Sequence, residues 1–329
     1  MRLQSINTIS TLLLVGLFSL SSCTKKDYKI PTPKDTLQND CIKRTQGPNI
    51  VGQTIEFAYA MAIIAEKGKL TNATVEATID GAVGTWMENN SYYTNNSGVD
   101  IGVPVGSASV TSKNVTTVTF NKDTNAATLR YYYVIPEQAR GQSVSFTFSA
   151  QSSDGETVSY KMGPYTIAKM DMKKGINLTD GGLMYISIAD MAAYNATDAA
   201  AKASSIDLVY LYRNITTSAF NFALVSPAAD PQYLPGVTLP TGVNKSTYVR
   251  KVFNLQDYNL AQMQYGIYID DPDFQQLNMT NDPNYAINLK QEAGVWVETA
   301  DHKYRAYVYF NTASTTTKNA VVGIKRYTL

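Results

Sequence analysis

The sequence predicts a mainly β protein of two β-sandwich domains, the first immunoglobulin-like, the second β-rich with short helices. Three observations carry that prediction. From residue 53 onward apolar and polar residues alternate with a period of two, the mark of a strand with one buried face. The alternating runs are short and stop at turn signals such as Asp80-Gly81 and Asp154-Gly155. Charged residues make up only 17% of the chain, below the roughly 25% of typical globular proteins. Ser, Thr and Asn fill the gap, as befits half-exposed strand faces.

The first element is an export signal, residues 1–22. Met1-Arg2 is a short positive segment, followed by an apolar run containing Leu12, Leu13, Leu14, Val15, Leu17, Phe18 and Leu20. That run falls short of the roughly 20 apolar residues a transmembrane helix needs, and matches a signal-peptide core. It ends in Leu20-Ser21-Ser22-Cys23, so Cys23 is expected to become the lipid-modified first residue of the mature protein. The sequence therefore predicts anchorage to a membrane through lipid, with no spanning segment. Residues 23–48, polar and carrying Pro31, Pro33 and Pro48, read as a lipidated tether that could also wrap onto the first domain.

Residues 49–168 read as the immunoglobulin-like sandwich. Ile55, Phe57, Tyr59 and Met61 share one face of an opening strand. Leu70–Ile79 repeats the pattern, Val115–Phe120 follows, and Leu129–Ile135 ends at Pro136, which cannot donate to a ladder. Val144, Phe146, Phe148 and Ala150 pair with Val158, Tyr160 and Met162 across Ser152–Gly155. Short strands at this spacing argue a sandwich. A polar, glycine-containing stretch, 168–182, places a boundary near 169. Residues 169–329 then read as a β-rich sandwich or jelly-roll-like domain. It has strands at 183–189, 206–212, 220–225, 249–253, 265–269, 294–299, 304–310 and 320–328. A short helix is expected after the cap signal at Thr197-Asp198, and a long Pro/Gly loop over 227–247.

Charge excludes one partner class: 28 Lys+Arg balance 27 Asp+Glu, whereas a nucleic-acid binder wants a basic excess. With Cys23 consumed by lipid, Cys41 stands alone and no intramolecular disulfide forms, so a core must hold the fold. Cys41 itself reads as incidental. Tyr outnumbers Phe 23 to 10, which suggests rings with wet edges.

No catalytic signature is present, and no cofactor or metal is expected. The single histidine, His302, sits between Asp301 and Lys303 in a hairpin turn and reads as a solvated turn residue. Asp270-Asp271-Pro272-Asp273 admits two readings, a calcium loop or a helix start with capping Asp and Pro at the first position. The stretch from Trp86 to Asn96, with Tyr92 and Tyr93, interleaves rings with amides. Sugars bind by CH–ring stacking and amide hydrogen bonds, so Trp86, Tyr92 and Tyr93 are the candidate ligand-binding residues. The competing reading is a long loop whose rings pack on the sandwich end. Trp296 and Tyr131-Tyr132-Tyr133 read as packed strand residues.

The lipidation sequence, the Gly52–Met61 strand, Tyr131–Phe148 with its Pro-Glu-Gln-Ala-Arg-Gly-Gln connection, and Ser205–Tyr212 resemble uncharacterised Bacteroidetes surface lipoproteins. The resemblance implies an immunoglobulin-like first domain, a second β-rich domain and an outer-membrane, cell-surface address. It further implies a non-enzymatic, glycan-binding accessory of a starch-utilisation-type uptake system, with glycans and an outer-membrane transporter complex as partners. The alternative it leaves open is a structural adhesin or fimbrillin-like subunit, with Lys43-Arg44 as the cleavage point.

Overall fold

The computed structural model describes residues 34–215, 220–262 and 266–329. The expected signal segment, Cys23 and the start of the tether lie outside the described residues.

Alternation decides the first sandwich. Its strands are β1 (Gln38–Lys43), β2 (Thr54–Ala62), β3 (Leu70–Ala77), β4 (Trp86–Met87), β5 (Asn90–Thr94), β6 (Asp100–Pro104), β7 (Val110–Ser112), β8 (Val115–Thr119), β9 (Ala126–Val134), β10 (Ser143–Ser152) and β11 (Thr157–Thr166). One sheet runs β1-β2-β9-β4 and the other β11-β10-β3-β8-β7, while β5 and β6 form a separate hairpin. Taking the first sheet as strands A-B-E-D and β11-β10-β3 as G-F-C gives the immunoglobulin arrangement. The expected hairpin pairs Phe146 with Met162, Phe148 with Tyr160 and Ala150 with Val158.

The inward faces build an aromatic core. Phe57, Tyr59, Tyr131, Tyr133, Phe146 and Phe148 are all buried, and Phe57 meets Phe146 and Phe148 at 4.8 and 5.2 Å between ring centroids. Some tyrosines, Tyr93 among them, keep an exposed edge, but the wet-edge expectation does not extend to Tyr59, Tyr131 and Tyr133. These rings are core, and their hydroxyls reach polar partners at the rim: Tyr133 donates to the Ile79 carbonyl at 3.1 Å and Tyr59 accepts from Asn39 at 3.0 Å. A buried hydroxyl left unpaired would cost about 1–3 kcal/mol.

Of the two readings of the tether, a free linker or a segment wrapped onto the first domain, the second holds for its later part. Residues 38–43 form β1, an edge strand paired with β2 in register from Gln38–Ala62 to Lys43–Phe57. Cys41 therefore points into the core opposite Tyr59, 4% exposed. The segment is polar because only Cys41 is buried in it.

The second sandwich comprises β12 (Asp171–Thr179), β13 (Tyr185–Ser187), β14 (Ala192–Tyr194), α1 (Ala196–Ala201), β15 (Leu208–Arg213), β16 (Asn221–Val225), β17 (Tyr248–Phe253), α2 (Asp271–Gln276), β18 (Tyr285–Leu289), β19 (Ala293–Glu298), β20 (Tyr304–Ser314) and β21 (Asn319–Thr328). Two five-stranded sheets, β12-β21-β20-β19-β17 and β14-β13-β15-β16-β18, enclose a core that includes Ile186, Leu211, Leu224, Val308 and Ile324. Part of the stretch expected to be a polar boundary is thus strand β12, an edge strand whose Lys173, Lys174 and Gly175 lie at a register shift. Of the expected strand at 265–269, residue 265 lies outside the described residues, and 266–269 are irregular, with an isolated parallel Asp257–Ile267 bridge.

The reason is that segments 254–262 and 266–282 form a third layer. It covers the outer face of the sheet, packing Leu260, Ile269, Phe274 and Met279 on Trp296, Tyr307, Tyr309 and Tyr327. Strand β19 is consequently buried at all six positions. A buried pin holds the cover down. Lys325 Nζ donates to Asp257 Oδ2 at 2.7 Å, Asn259 Oδ1 at 2.9 Å and the Ile269 carbonyl at 2.8 Å, with both Lys325 and Asp257 fully buried. Burial lowers the lysine pKa, against the opposing pull of Asp257.

Thr36–Leu329 form one compact unit, and the short connection between the sandwiches is pinned on every side. Ala168 N–H donates to the Asn49 carbonyl at 2.8 Å. The Asp271 carboxylate accepts from Lys169 and Met170 N–H at 2.6 and 3.0 Å. Arg140 reaches the Lys169 carbonyl at 2.8 Å and Asp171 at 2.7 Å. The ring of Tyr268 lies against Gly47, where an added Cβ would sit 2.4 Å from it.

Candidate functional site

Strands β2 and β9 alternate, so each residue lost to the core leaves a neighbour on the outer face. On β2 the outward set is Thr54, Glu56, Ala58, Ala60 and Ala62; on β9 it is Ala126, Thr128, Arg130, Tyr132 and Val134. From β1, opposite Ala62, Ala60 and Ala58, come Gln38, Asp40 and Ile42. The outer face of this sheet thus has a small-residue end and a charged, aromatic end.

At the small-residue end lies a shallow hollow of about 460 Å³, open to solvent. Ala60, Ala62, Ala126 and Thr128 line it with Gln38 and Tyr92. Its depth follows from the alanines, since a larger side chain at Ala60 or Ala62 would fill it.

At the other end, four charged groups interlock. Arg44 Nε meets Glu56 Oε1 at 2.8 Å, Arg130 Nε lies 3.9 Å from the same oxygen, and Arg130 also pairs with Asp100. Thr94 Oγ1 donates to Asp100 Oδ1 at 2.8 Å, and this bond with the two guanidiniums holds the Asp100 carboxyl below its usual range. The β5–β6 hairpin leans over this face. Tyr92 donates its hydroxyl to Glu88, which also accepts from the Tyr132 hydroxyl at 2.9 Å. The Arg130 guanidinium stacks on the Tyr92 ring 4.0 Å from its centroid, a cation–π contact. Gly102, opposite Tyr92, leaves room for the ring, because a Cβ there would lie 3.1 Å from it. Burial and the bond to Glu88 push the Tyr132 phenol up to about 12. Both rings therefore stay neutral donors at physiological pH.

The three sequence candidates divide. Tyr92 stands on this face. Trp86 belongs to β4 and stacks on Tyr132 at 5.2 Å and 15°, while keeping 44% of its surface exposed. Tyr93 points away from Tyr92 along β5 and is 57% exposed. The segment expected to be a loop is largely strand, β4 then β5, because β5 follows the edge of β9: Glu88 N–H donates to the Arg130 carbonyl at 2.8 Å and Thr128 N–H to Ser91 Oγ at 3.0 Å. Arg44, Glu56, Arg130 and Tyr132 escaped the sequence reading. Tyr132 alone was legible, as the out-of-phase member of a run whose other two tyrosines are core.

The remaining candidates take structural roles. The helix-start reading of Asp270–Asp273 is the one the geometry matches. Asp270 caps α2, and its own N–H donates to Asp273 at 2.8 Å in a capping box. His302 occupies the β19–β20 turn, its side chain 63% exposed and its Nδ1 2.7 Å from Glu298. Among the described residues no group of three or more His, Cys, Asp or Glu is placed to hold a metal ion. Nor is any described helix long and apolar enough to cross a membrane.

Residues 34–167 match the model of one family, described as Domain of unknown function (DUF4466), and residues 168–329 that of another, Domain of unknown function (DUF8576). No curated protein matches the chain. A crystal structure of a DUF4466 family protein from Parabacteroides merdae is 47% identical, covers 90% of this chain and 100% of that one, and superposes with a TM-score of 0.85. A GH20 exo-β-N-acetylglucosaminidase from Vibrio harveyi, in complex with N-acetylglucosamine, is 10% identical, covers 66% of this chain and 33% of that one, and has a TM-score of 0.20. That second likeness is too slight to carry an argument. The first, over nearly the whole chain, makes the protein a member of the DUF4466 family.

Proposed function

We propose that this protein is a lipid-anchored, non-enzymatic glycan-binding accessory of the outer-membrane surface, and that it takes sugar on the outer face of the β1-β2-β9-β4 sheet. The observation that carries the reading is the juxtaposition on one rigid sheet face of exposed, mutually fixed rings with a small-residue hollow. Trp86 is stacked on Tyr132, and Tyr92 is clamped by Glu88 and Arg130. Flat rings suit the CH faces of sugars, and the carboxylate and guanidinium groups beside them suit ring hydroxyls. The acids of this face are already engaged: Glu56 and Asp100 by arginines, Glu88 by two phenols. That arrangement favours binding over acid–base chemistry, in which a carboxyl must exchange its proton freely. The anchor at Cys23 and the partnership with a polysaccharide transporter belong to the same proposal.

The test is a glycan array on the wild-type protein, followed by titration calorimetry with the hits on Trp86→Ala and Tyr92→Ala. Neither ring belongs to the buried core, so both variants should keep the wild-type melting temperature within a few degrees. Each should lose roughly tenfold in affinity, the equivalent of about 1.4 kcal/mol. Absence of binding by wild type, or full binding by both variants, would overturn the assignment.

A further inference from the structure

A second hollow, of about 470 Å³, opens where the first sandwich meets the cover of the second. Arg44, Gln46, Asn49, Gln53 and Glu56 line it from one side and Tyr258 from the other. Its chemistry differs from that of an apolar ligand pocket: four primary amides (Asn259 being the fourth), a guanidinium–carboxylate pair and one phenol ring. The wall contributed by Tyr258 is firmly placed. Its ring packs on Tyr268 at 5.0 Å, its N–H donates to the Ile267 carbonyl at 2.7 Å, and its neighbours Asp257 and Asn259 are both gripped by Lys325. Tyr268 in turn donates to Gln46 at 2.9 Å, tying the two walls together.

The two hollows lie on one strand. Ala60 and Ala62 line the first, Thr54 and Glu56 the second. At about 3.3 Å of rise per residue, the outward side of β2 from Thr54 to Ala62 spans about 26 Å. The Arg44–Glu56 pair borders the junction hollow and also belongs to the charged network on the sheet face, which reaches through Arg130 to the Tyr92 rim of the first hollow. A single sugar ring cannot occupy both ends of such a track, whereas a linear chain of several rings can. Charge narrows the class further. Arg44 and Glu56 cancel in the junction hollow, and Arg130 is matched by Asp100 with Glu88 close by. No unpaired cation among these groups is available to a uronate or sulfate.

We propose that the junction hollow is a second sugar subsite, that Tyr258 is its stacking platform, and that the ligand is a neutral oligosaccharide laid along the outer face of β2 and contacting both sandwiches. This rests on the glycan-binding reading above and adds the length, charge and second contact surface of the ligand.

The experiment is calorimetry on the full mature chain with size-graded series from disaccharide to hexasaccharide: malto-, cello-, xylo- and mannooligosaccharides, with oligogalacturonates as the anionic comparison. Affinity should climb with chain length in at least one neutral series and stay low for oligogalacturonates. Tyr258→Ala and the exposed Gln53→Ala should each weaken the hexasaccharide roughly tenfold and change the disaccharide less than twofold. Gln53 lies outside every core cluster, so it keeps the test valid if Tyr258→Ala unfolds the cover. Length-independent affinity, equal losses at every length, or tightest binding of oligogalacturonate would overturn the second subsite and leave glycan binding standing. Failure of every series to bind would overturn both.

Discussion

Replacing Lys325 by Met should detach the cover of the second sandwich. The methionine keeps the apolar stem but removes an ammonium whose three protons all have acceptors, at 2.7, 2.9 and 2.8 Å. The Asp257 carboxylate is left fully buried. It retains backbone N–H bonds from Asn259, Leu260 and Ile269 at 3.0, 3.1 and 2.7 Å, but no counter-charge. Breaking one side of a buried pair costs about 3–5 kcal/mol, mostly the penalty of the orphaned charge. At a urea slope of about 2–3 kcal/mol/M, the midpoint should fall by about 1–2.5 M. The chain has two tryptophans; in a Trp86→Phe background Trp296, 8% exposed beneath the cover, becomes the sole tryptophan, read by excitation at the red edge where tyrosine does not absorb. Hydrogen exchange should rise across 255–270 before the rest of the second sandwich. Adding Asp257→Asn should recover only part of the loss, since the amide cannot accept from all three N–H groups at once. A midpoint within about 0.3 M of the parent would refute the reasoning and show that the aromatic packing holds the cover unaided.

Four further outcomes are expected. In the full precursor, labelled palmitate should enter the wild type and not Cys23→Ser; equal labelling would dismiss the lipid anchor. With Cys23 replaced, the one remaining thiol, Cys41, should resist Ellman's reagent at pH 8 until the protein is unfolded, because burial, helped by the charge of Asp40, pushes its pKa up to about 12. Glu298 is pushed up by burial, but hydrogen bonds from Arg305 and His302 outweigh this and its pKa is lowered from 4.5. Its contribution, on the order of 1–2 kcal/mol, is therefore full above its unfolded value and lost as pH falls through the folded one. The stability gap between wild type and Glu298→Gln should accordingly be constant above about pH 5 and close below 4.5; a gap that widened with acid would contradict this. Gly47→Ala, at φ +76° and against the Tyr268 ring, should cost about 1–3 kcal/mol and be partly rescued by Tyr268→Ala, as thermal melts would show.

The elements legible in the sequence are those whose pattern is set by a single buried face. Strand β2 announces itself through Ile55, Phe57, Tyr59 and Met61, and the β10–β11 pairing through Asp154-Gly155 and the matched apolar sets on either side. Helix α2 was legible because capping chemistry is local: Asp270, Pro272 and Asp273 act within one turn. Strand β1 was missed because its polar residues face solvent and only Cys41 is fully buried. Burial of β19 at every position was not foreseeable, since it depends on a cover that arrives from residues 254–262 and 266–282, whose described part has little regular structure. The candidate face fared likewise. Trp86 and Tyr92 drew notice as rings among amides, but Glu56 comes from β2, Arg130 from β9 and Arg44 from just beyond β1, and they become a set only once register is known.

The pairing of β12 with β21 has a consequence for how the chain acquires its shape. Asp171 lies beside Arg326, 155 residues later, and β21 is an inner strand of its sheet. The first and last strands of this sandwich are therefore neighbours. The sheet cannot be laid down progressively as the polypeptide emerges from the ribosome. Until the final strand is available, β12 has no partner in its sheet and β20 shows an open side, and such edges invite pairing with other molecules. Contacts this distant in sequence also slow folding. Completion of this sheet thus waits on β21, and loss of Asn319–Thr328 would leave β12 without a partner in it.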